Sequence, residues 1–122
     1  MKTILVVDDS RIMRNIVKNT FQELNIPCQF LEADNGVGAF NLLERNKVSI
    51  VFLDWNMPQM DGMQFLKKVK AMPDYKNLPV IMVTSEAARY NVVEALEAGA
   101  TDYIVKPVDA KTFLKKVSRI TL

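Results

Sequence analysis

The stretch TILVVDD, residues 3–9, is a short apolar run that ends in two adjacent carboxylates, and IVFLD, residues 50–54, ends in one. Short apolar runs bounded by polar residues are typical of parallel strands covered on both faces. The carboxyl ends of such strands lie along one edge of an open α/β sheet, where these folds bind their ligands. We therefore expect Asp8, Asp9 and Asp54 to lie together in one small site.

Three carboxylates in one site repel one another. At a separation of about 4 Å and an effective dielectric constant of about 20, each pair costs about 4 kcal/mol. Bound protons or a divalent cation must relieve this repulsion. A small set of oxygen ligands suits Mg²⁺, which prefers one or two carboxylates, water and phosphate oxygens. The acids therefore predict Mg²⁺ as the cofactor.

Strand and helix patterns alternate along the whole chain. Strands are predicted at residues 3–7, 28–33, 49–53, 80–83 and 103–105. Apolar residues at helical spacing predict five helices, four between strands and one after the last strand. The predicted N-caps are Ser10, Asp61 and Asp109, and Gly99 is the predicted left-handed C-cap. Expected inward positions on the last four helices are Val37, Phe40, Leu43, Met63, Leu66, Val69, Val93, Leu96, Phe113, Leu114, Val117 and Ile120. This alternation indicates βαβ units and a parallel sheet in one domain, residues 1–122.

Every predicted strand except the second ends in a residue with useful chemistry. Thr84 ends the fourth strand and Lys106 the fifth. A hydroxyl and an ammonium beside a carboxylate cluster suit an oxyanion that shares a metal, as phosphoryl transfer requires. A carboxylate can also serve as the nucleophile and form an aspartyl phosphate. These residue types describe a metal-assisted phosphoryl acceptor.

The composition bounds the remaining possibilities. The chain has 122 residues, 49% hydrophobic and 25% charged, as expected for one soluble domain. A net charge of +2 favours neither nucleic acid nor a membrane as partner. No apolar run resembles a membrane span or a signal peptide, so we expect a cytoplasmic protein. The sequence has no histidine, which excludes His-ligated zinc, Ser-His-Asp hydrolysis and a phosphohistidine carried by this chain. A single cysteine, Cys28, excludes an internal disulfide.

Five segments together resemble the response-regulator receiver family. They are VVDDS (6–10), LDWNMPQMDG (53–62), VTSE (83–86), AGA (98–100) and YIVKP (103–107), in the family's order and spacing over nearly the whole chain. The resemblance implies a doubly wound, flavodoxin-like α/β fold with five helices and a five-stranded parallel sheet in the order 2-1-3-4-5. Among receivers, the chain is most similar to the stand-alone chemotaxis regulators.

The resemblance also implies roles at the metal and phosphate site. Asp54 matches the phosphoryl acceptor. Asp9 and Asp54 match direct Mg²⁺ ligands, with the backbone carbonyl of Asn56 as a third and Asp8 acting mainly through water. Lys106 matches the lysine that pairs with the phosphate, and it precedes a proline that is usually joined by a cis bond.

Four further roles follow from the same resemblance. Thr84 matches the hydroxyl that moves to the phosphate, and Tyr103 matches the aromatic whose ring then turns inward. Asn56 and Glu86 match two positions that tune the lifetime of the phosphoryl group. Trp55, beside the acceptor, is an optical reporter of the site without a catalytic role.

The implied function is that of a phospho-accepting signalling protein and not an enzyme. A histidine kinase is the implied donor, and partners are expected to bind the surface of the fourth helix, fifth strand and last helix. A solvated basic face on the last helix, which favours an acidic partner, is expected from Lys111, Lys115, Lys116 and Arg119. The residues after Pro107 suffice only for that helix, so we expect no output domain. We also expect a monomer, and the resemblance implies the flagellar motor switch as its partner.

Several alternatives stay open at this point. A single-domain receiver also serves in phosphorelays or as a phosphate sink, and the chain could be a receiver excised from a larger regulator. A Mg²⁺-dependent phosphatase of the haloacid-dehalogenase type requires a second Asp two residues after its nucleophile, but position 56 is Asn. A flavodoxin-like FMN binder needs a phosphate loop rich in glycine and hydroxyls, where this chain has Asp8 and Asp9.

Overall fold

The computed structural model describes residues 2–55, 57, 60–85 and 89–119, and for residues 89–91 the backbone alone. Strands and helices alternate in the order β1 (Lys2–Val7), α1 (Arg11–Glu23), β2 (Cys28–Ala33), α2 (Gly36–Arg45), β3 (Ile50–Asp54), α3 (Gly62–Lys70), β4 (Val80–Thr84), α4 (Arg89–Glu97), β5 (Asp102–Val105) and α5 (Ala110–Ser118). Each predicted strand is confirmed to within one residue at its ends. A 3-10 turn at Pro73–Tyr75, before β4, is an element that the sequence patterns did not predict.

The five strands form one parallel sheet in the order β2-β1-β3-β4-β5, which confirms the fold class and the strand order. One face of the sheet packs on α1 and α5, through Val17, Phe21, Phe113 and Val117. The other face packs on α2, α3 and α4, through residues that include Leu43, Phe65, Leu66, Val69 and Ala95. Because both faces are covered, β3 and β4 are buried along their whole length.

The predicted helix caps are confirmed. Ser10 Oγ accepts a hydrogen bond from the Met13 N–H, and Asp109 Oδ2 accepts one from the Thr112 N–H. Asp61 forms a capping box with Gln64, in which each side chain accepts from the other residue's backbone N–H. Gly99 has a φ of 110°, the left-handed region that a glycine reaches without strain.

Four predicted inward positions are wrong. The exposed ones are Val37 (54%), Val93 (45%), Leu96 (42%) and Leu114 (44%). Ala39 on α2 and Ala95 on α4 are buried instead. The spacing of apolar residues gives the inner face of a helix only approximately, and close packing against the sheet selects the side chains that are buried. Ile120 lies outside the described residues.

The α1 and α5 face has an aromatic core around Phe21. Its ring makes edge-to-face contacts with Phe30, Phe52 and Phe113, at centroid distances of 5.8, 5.5 and 5.2 Å. This packing fixes α1 and α5 against the sheet, and therefore fixes the two loops that flank the carboxyl edge. No helix in the described part of the chain is long and apolar enough to cross a membrane.

Candidate functional site

Strand register brings the predicted site residues to one edge of the sheet. Val7 pairs with Leu53, so Asp8 and Asp54 stand level at the ends of neighbouring strands. Thr84 ends β4 one residue beyond the partner of Asp54, and Lys106 follows β5. The Lys106 backbone N–H donates to the Thr84 carbonyl at 2.8 Å, and this bond extends the hydrogen-bond ladder between β4 and β5 past the end of β5. The expected convergence of strand ends is therefore present.

Three carboxylates form the centre of this edge. One oxygen each of Asp8, Asp9 and Asp54 lies within 4.8 Å of the others. Asp8 and Asp54 are buried, with 4% and 5% of their surface exposed, whereas Asp9 is exposed. Two buried acids and one open to solvent form a cluster that a cation can enter from the Asp9 side. The donor set, oxygen only and small, fits a hard divalent ion such as Mg²⁺.

Lys106 supplies a fixed positive charge to this cluster. Its Nζ lies 3.0 Å from Asp54 Oδ1, to which it donates a hydrogen bond, and 3.4 Å from Asp8 Oδ2. Desolvation acts to lower the pKa of Lys106, but the hydrogen bonds and charges of Asp54 and Asp8 outweigh it and raise the pKa. The ammonium therefore stays charged. The bond from Lys106 to Pro107 is cis, as the resemblance implies.

Asp8 carries the electrostatic strain of the site. Burial raises the pKa of its carboxyl, and the charge of Asp54 adds to the rise. The Ser10 N–H, which donates to Asp8 Oδ1 at 2.8 Å, and the Lys106 ammonium act in the opposite direction without cancelling it. A carboxylate held in this way is relieved by a proton or by a cation.

The start of α3 lies close against the end of β3 because residue 62 is a glycine. Gly62 begins α3, and its N–H donates to the Trp55 carbonyl at 2.7 Å. A Cβ at Gly62 would collide with the carbonyl oxygen of Asp54. A side chain at this position would push α3 away from the end of β3. Trp55, directly after Asp54, is half-buried and packs against the core beneath α2, α3 and α4.

Tyr103 lies on β5, half-buried, at some distance along the sheet from the acids. The Lys116 ammonium lies 4.0 Å from the centroid of its ring and 3.0 Å from Asp102 Oδ1. A cation over an aromatic face is attracted by about 0.5–1 kcal/mol where it remains partly solvated. Lys116 is thus drawn into contacts with β5, and the prediction that it belongs to a solvated basic face is wrong for this residue. Lys111, Lys115 and Arg119 are exposed, as predicted.

The described residues bring together Asp8, Asp9, Asp54 and Lys106, with Thr84 buried at the end of β4. Asn56 and Glu86, predicted as lifetime-tuning positions and Asn56 also as a metal ligand, lie outside the described residues. Sequence reasoning missed the structural role of Arg14, whose Nη1 donates to the Asp8 carbonyl at 2.7 Å. A basic residue in the first turns of a helix gives no sequence signal for that contact.

Comparison with known proteins agrees with this geometry. The model of the response regulator receiver domain family matches residues 4–118. A chemotaxis protein CheY homolog of Campylobacter jejuni is 44% identical over 118 residues, which are 96% of this chain and 90% of that protein. Chemotaxis protein CheY-3 of Vibrio cholerae is 44% identical over 117 residues, 96% of this chain and 89% of its own.

Solved structures share the fold over nearly the full length. Vibrio cholerae chemotaxis protein CheY4 superposes with a TM-score of 0.88 at 32% identity, covering 98% of both chains. The Mn²⁺-bound form of response regulator Rcp1 superposes with a TM-score of 0.83 at 26% identity, covering 98% of this chain and 91% of its own.

Proposed function

Because this chain belongs to the response regulator receiver family, we propose that it is a switch phosphorylated on Asp54 by a histidine kinase, with Mg²⁺ as its cofactor. A receiver is a signalling phosphoacceptor and not a catalytic enzyme, so the phosphatase and flavin alternatives are set aside. One observation carries the assignment: three carboxylates lie within 4.8 Å of one another, and the Lys106 ammonium lies 3.0 Å from Asp54.

Asp54 is the acid best suited to accept the phosphoryl group. It ends the central strand β3, between Asp8 on one side and the end of β4 on the other, so groups from both neighbours surround it. One of its carboxylate oxygens attacks the phosphorus of a phosphohistidine. The bond from phosphorus to the imidazole nitrogen breaks, and that nitrogen keeps the electron pair and takes a proton from solvent.

Lys106 and Thr84 are the residues proposed to receive the phosphoryl oxygens. The Lys106 ammonium already contacts Asp54 and needs little movement to reach an oxygen of a phosphoryl group whose phosphorus is bonded to that carboxylate. Thr84, buried at the end of β4, offers a hydroxyl one residue further along the edge. Preorganised donors of this kind stabilise charge that develops during transfer.

Asp8, Asp9 and Asp54 are proposed to hold the Mg²⁺ ion, Asp9 and Asp54 directly and Asp8 mainly through water. The proximity of their oxygens and the raised pKa of Asp8 both favour a bound cation. The Mn²⁺-bound form of Rcp1 is a relative of the same fold with a divalent ion. When bound, the ion neutralises the acids and the incoming phosphoryl oxygens.

The proposed output is a change in the surface formed by α4, β5 and α5. Exposed apolar residues lie on these elements: Val93, Leu96, Val105 and Leu114. Tyr103 on β5 is the proposed link between this surface and Thr84, and the Lys111, Lys115 and Arg119 charges favour an acidic partner segment. Since two relatives at 44% identity are chemotaxis proteins, we propose the flagellar motor switch as partner. A diffusible link between a kinase and a motor must share their compartment, the cytoplasm.

The acceptor and the ion are tested by following Trp55 fluorescence, since Trp55 is the single tryptophan of the chain. Mg²⁺ and then beryllofluoride, a phosphoryl mimic, are expected to change the signal of the wild type. Asp9→Ala should weaken the Mg²⁺ response, and Asp54→Ala should abolish the response to beryllofluoride. Asp74→Asn, on the exposed 3-10 turn, is the matched control and should behave as wild type. A wild type silent to both ligands would contradict the assignment.

The partner is tested separately: pull-downs with and without beryllofluoride report binding, and the phosphorylated protein reports transfer or loss of the phosphoryl group. Binding of the motor switch protein only in the presence of the mimic supports chemotaxis. Transfer of the phosphoryl group to a histidine phosphotransfer protein, without motor binding, would replace the motor by a phosphorelay. Loss of the phosphoryl group to water, with neither partner engaged, would indicate a phosphate sink.

A further inference from the structure

The corner between β1 and α1 is held by an arginine that touches neither the phosphoryl acceptor nor its lysine. Arg14, on the first turns of α1, donates from Nη1 to the backbone carbonyl of Asp8 at 2.7 Å. Its Nε donates to Glu32 Oε1, at the end of β2, at 3.0 Å. The other oxygen of Glu32 accepts from Lys18 Nζ at 3.0 Å. The arginine therefore joins α1, β2 and the backbone of the acidic corner.

The carbonyl that Arg14 holds belongs to the peptide unit between Asp8 and Asp9. Asp8 is fixed by other means: its N–H donates to the Ala33 carbonyl, and its carboxylate contacts the Ser10 N–H and Lys106. Asp9 is exposed, so little packing restrains its side chain. The orientation of the Asp8–Asp9 peptide fixes the direction in which the Asp9 side chain leaves the backbone, and the Arg14 hydrogen bond fixes that orientation.

We propose that Arg14 is a positioning residue for the divalent cation: by clamping the Asp8 carbonyl, it aims the Asp9 carboxylate at the ion. The inference rests on the proposed function, because it requires that a cation binds the three acids. Mg²⁺ demands near-ideal octahedral geometry, and a useful ligand must be held within about 0.5 Å of its place. Partners that orient ligands in this way typically change metal affinity by about tenfold or more when removed.

The chemistry of the contact explains why an arginine serves here. A guanidinium presents donors at fixed angles in one plane, so one side chain can reach a backbone carbonyl and a carboxylate at once. Glu32 neutralises part of its charge, and the Arg14 and Lys18 hydrogen bonds lower the pKa of that carboxyl, Lys18 most strongly. The clamp thus adds little net repulsion toward a cation at the acids.

Charge and geometry predict opposite results when Arg14 is replaced. Removing a positive charge near three acids should tighten cation binding if electrostatics alone acts. Loss of the clamp should weaken cation binding, because Asp9 must then be ordered when the ion binds. Lys18 is the matched control, since it shares Glu32 with Arg14 but makes no hydrogen bond to the Asp8–Asp9 peptide among the described contacts.

The test compares Mg²⁺ affinity, by calorimetry and Trp55 fluorescence, in Arg14→Gln, Arg14→Lys and Lys18→Gln. We expect a dissociation constant about tenfold higher in Arg14→Gln. Arg14→Lys keeps the charge but loses the planar guanidinium that reaches two acceptors at once, and it should also weaken Mg²⁺ binding. Lys18→Gln should bind as tightly as wild type or slightly more so. Unchanged or tighter binding in both Arg14 variants would overturn the proposal.

A second readout needs no metal. Amide hydrogen exchange of Asp9 and Ser10 in the metal-free protein should be faster in Arg14→Lys and unchanged in Lys18→Gln. Equal exchange in the two variants would also overturn the proposal, and thermal unfolding of each shows whether the fold is kept. A wild type that does not bind Mg²⁺ would refute the proposed function together with this inference. Mg²⁺ binding by the wild type with no effect of Arg14 would refute only the inference.

Discussion

Replacing Lys106 with Met tests whether the lysine is the counter-ion that lets this acidic site fold without metal. Met keeps most of the apolar stem and removes the ammonium. The change breaks two contacts at once, at 3.0 Å to Asp54 and at 3.4 Å to Asp8. The quantity to measure is the free energy of unfolding at pH 7, from urea denaturation with and without Mg²⁺.

The distances give the expected size of the loss. At an effective dielectric constant of about 20, each contact has a Coulomb energy of about 5 kcal/mol before the cost of desolvating the ions. Removing one partner of a buried ion pair typically costs about 3–5 kcal/mol. Because 22% of the Lys106 side chain is exposed, and because one acid can take up a proton, we expect the lower end, about 3 kcal/mol.

Lys116→Met is the matched control. Lys116 makes an ion pair of the same length, 3.0 Å, with a similarly covered side chain, but to the single carboxylate of Asp102. Losing this ion pair together with the contact on the Tyr103 ring should lower the free energy of unfolding by about 1–2 kcal/mol. Mg²⁺ should stabilise Lys106→Met more than wild type by about 1.4 kcal/mol, a tenfold gain in affinity, because the ion no longer competes with an ammonium. Mg²⁺ should add no such increment to Lys116→Met.

Two results would refute this reasoning. If Lys106→Met loses no more stability than Lys116→Met, the acids do not depend on the lysine in the metal-free protein. If Mg²⁺ stabilises Lys106→Met and wild type equally, the ion and the ammonium do not occupy the same electrostatic site.

Three further predictions concern Asp8, the start of α3 and the aromatic core around Phe21. Burial raises the pKa of Asp8, so the favourable contribution of this residue to folding stability is complete below its ordinary pKa of about 4 and is lost as the pH rises through the raised value. Metal-free Asp8→Asn should therefore gain stability over the wild type between about pH 4 and 7. Parallel curves of unfolding free energy against pH for the two proteins would contradict this. Gly62→Ala should cost about 1–3 kcal/mol in urea denaturation, because its Cβ meets the Asp54 carbonyl, whereas Gly38→Ala, with its nearest contact at 3.6 Å, should be neutral or stabilising. Phe21→Ala should lower the free energy of unfolding by about 3–5 kcal/mol, since the Phe21 ring contacts three other rings. A smaller loss, measured by thermal unfolding, would mean that the core collapses around the gap.

Much of the fold could be predicted because its signals are local. A strand buried on both faces is a short apolar run, so the runs 3–7 and 50–53 can be recognised as strands without any knowledge of their partners. A helix cap needs only its own first turn, and Ser10, Asp61 and Asp109 all cap as predicted. The convergence of acids, threonine and lysine follows from one rule, that parallel strands end at one edge.

The errors lie where a prediction needed the distance between two elements. Val93 and Leu96 fit a helical stripe, but Ala95 is buried in their place, because the orientation of α4 against the sheet turns that residue inward. Lys116 was assigned to a solvated face, but β5 brings Asp102 and Tyr103 within its reach. Neither contact can be found from spacing along one helix, since it depends on how that helix lies against a strand far away in sequence.

The alternation of strands and helices in the sequence fixes the direction of every strand, and therefore which side chains reach the carboxyl edge of the sheet. How those side chains are held depends on packing between elements: Lys106 lies between two acids, Gly62 against the Asp54 carbonyl, and Arg14 between Glu32 and the Asp8 carbonyl. Hydrophobic periodicity encodes the faces of single elements. Hydrogen bonds and ion pairs act over about 3 Å between residues distant in sequence, so they form only once packing has set those distances.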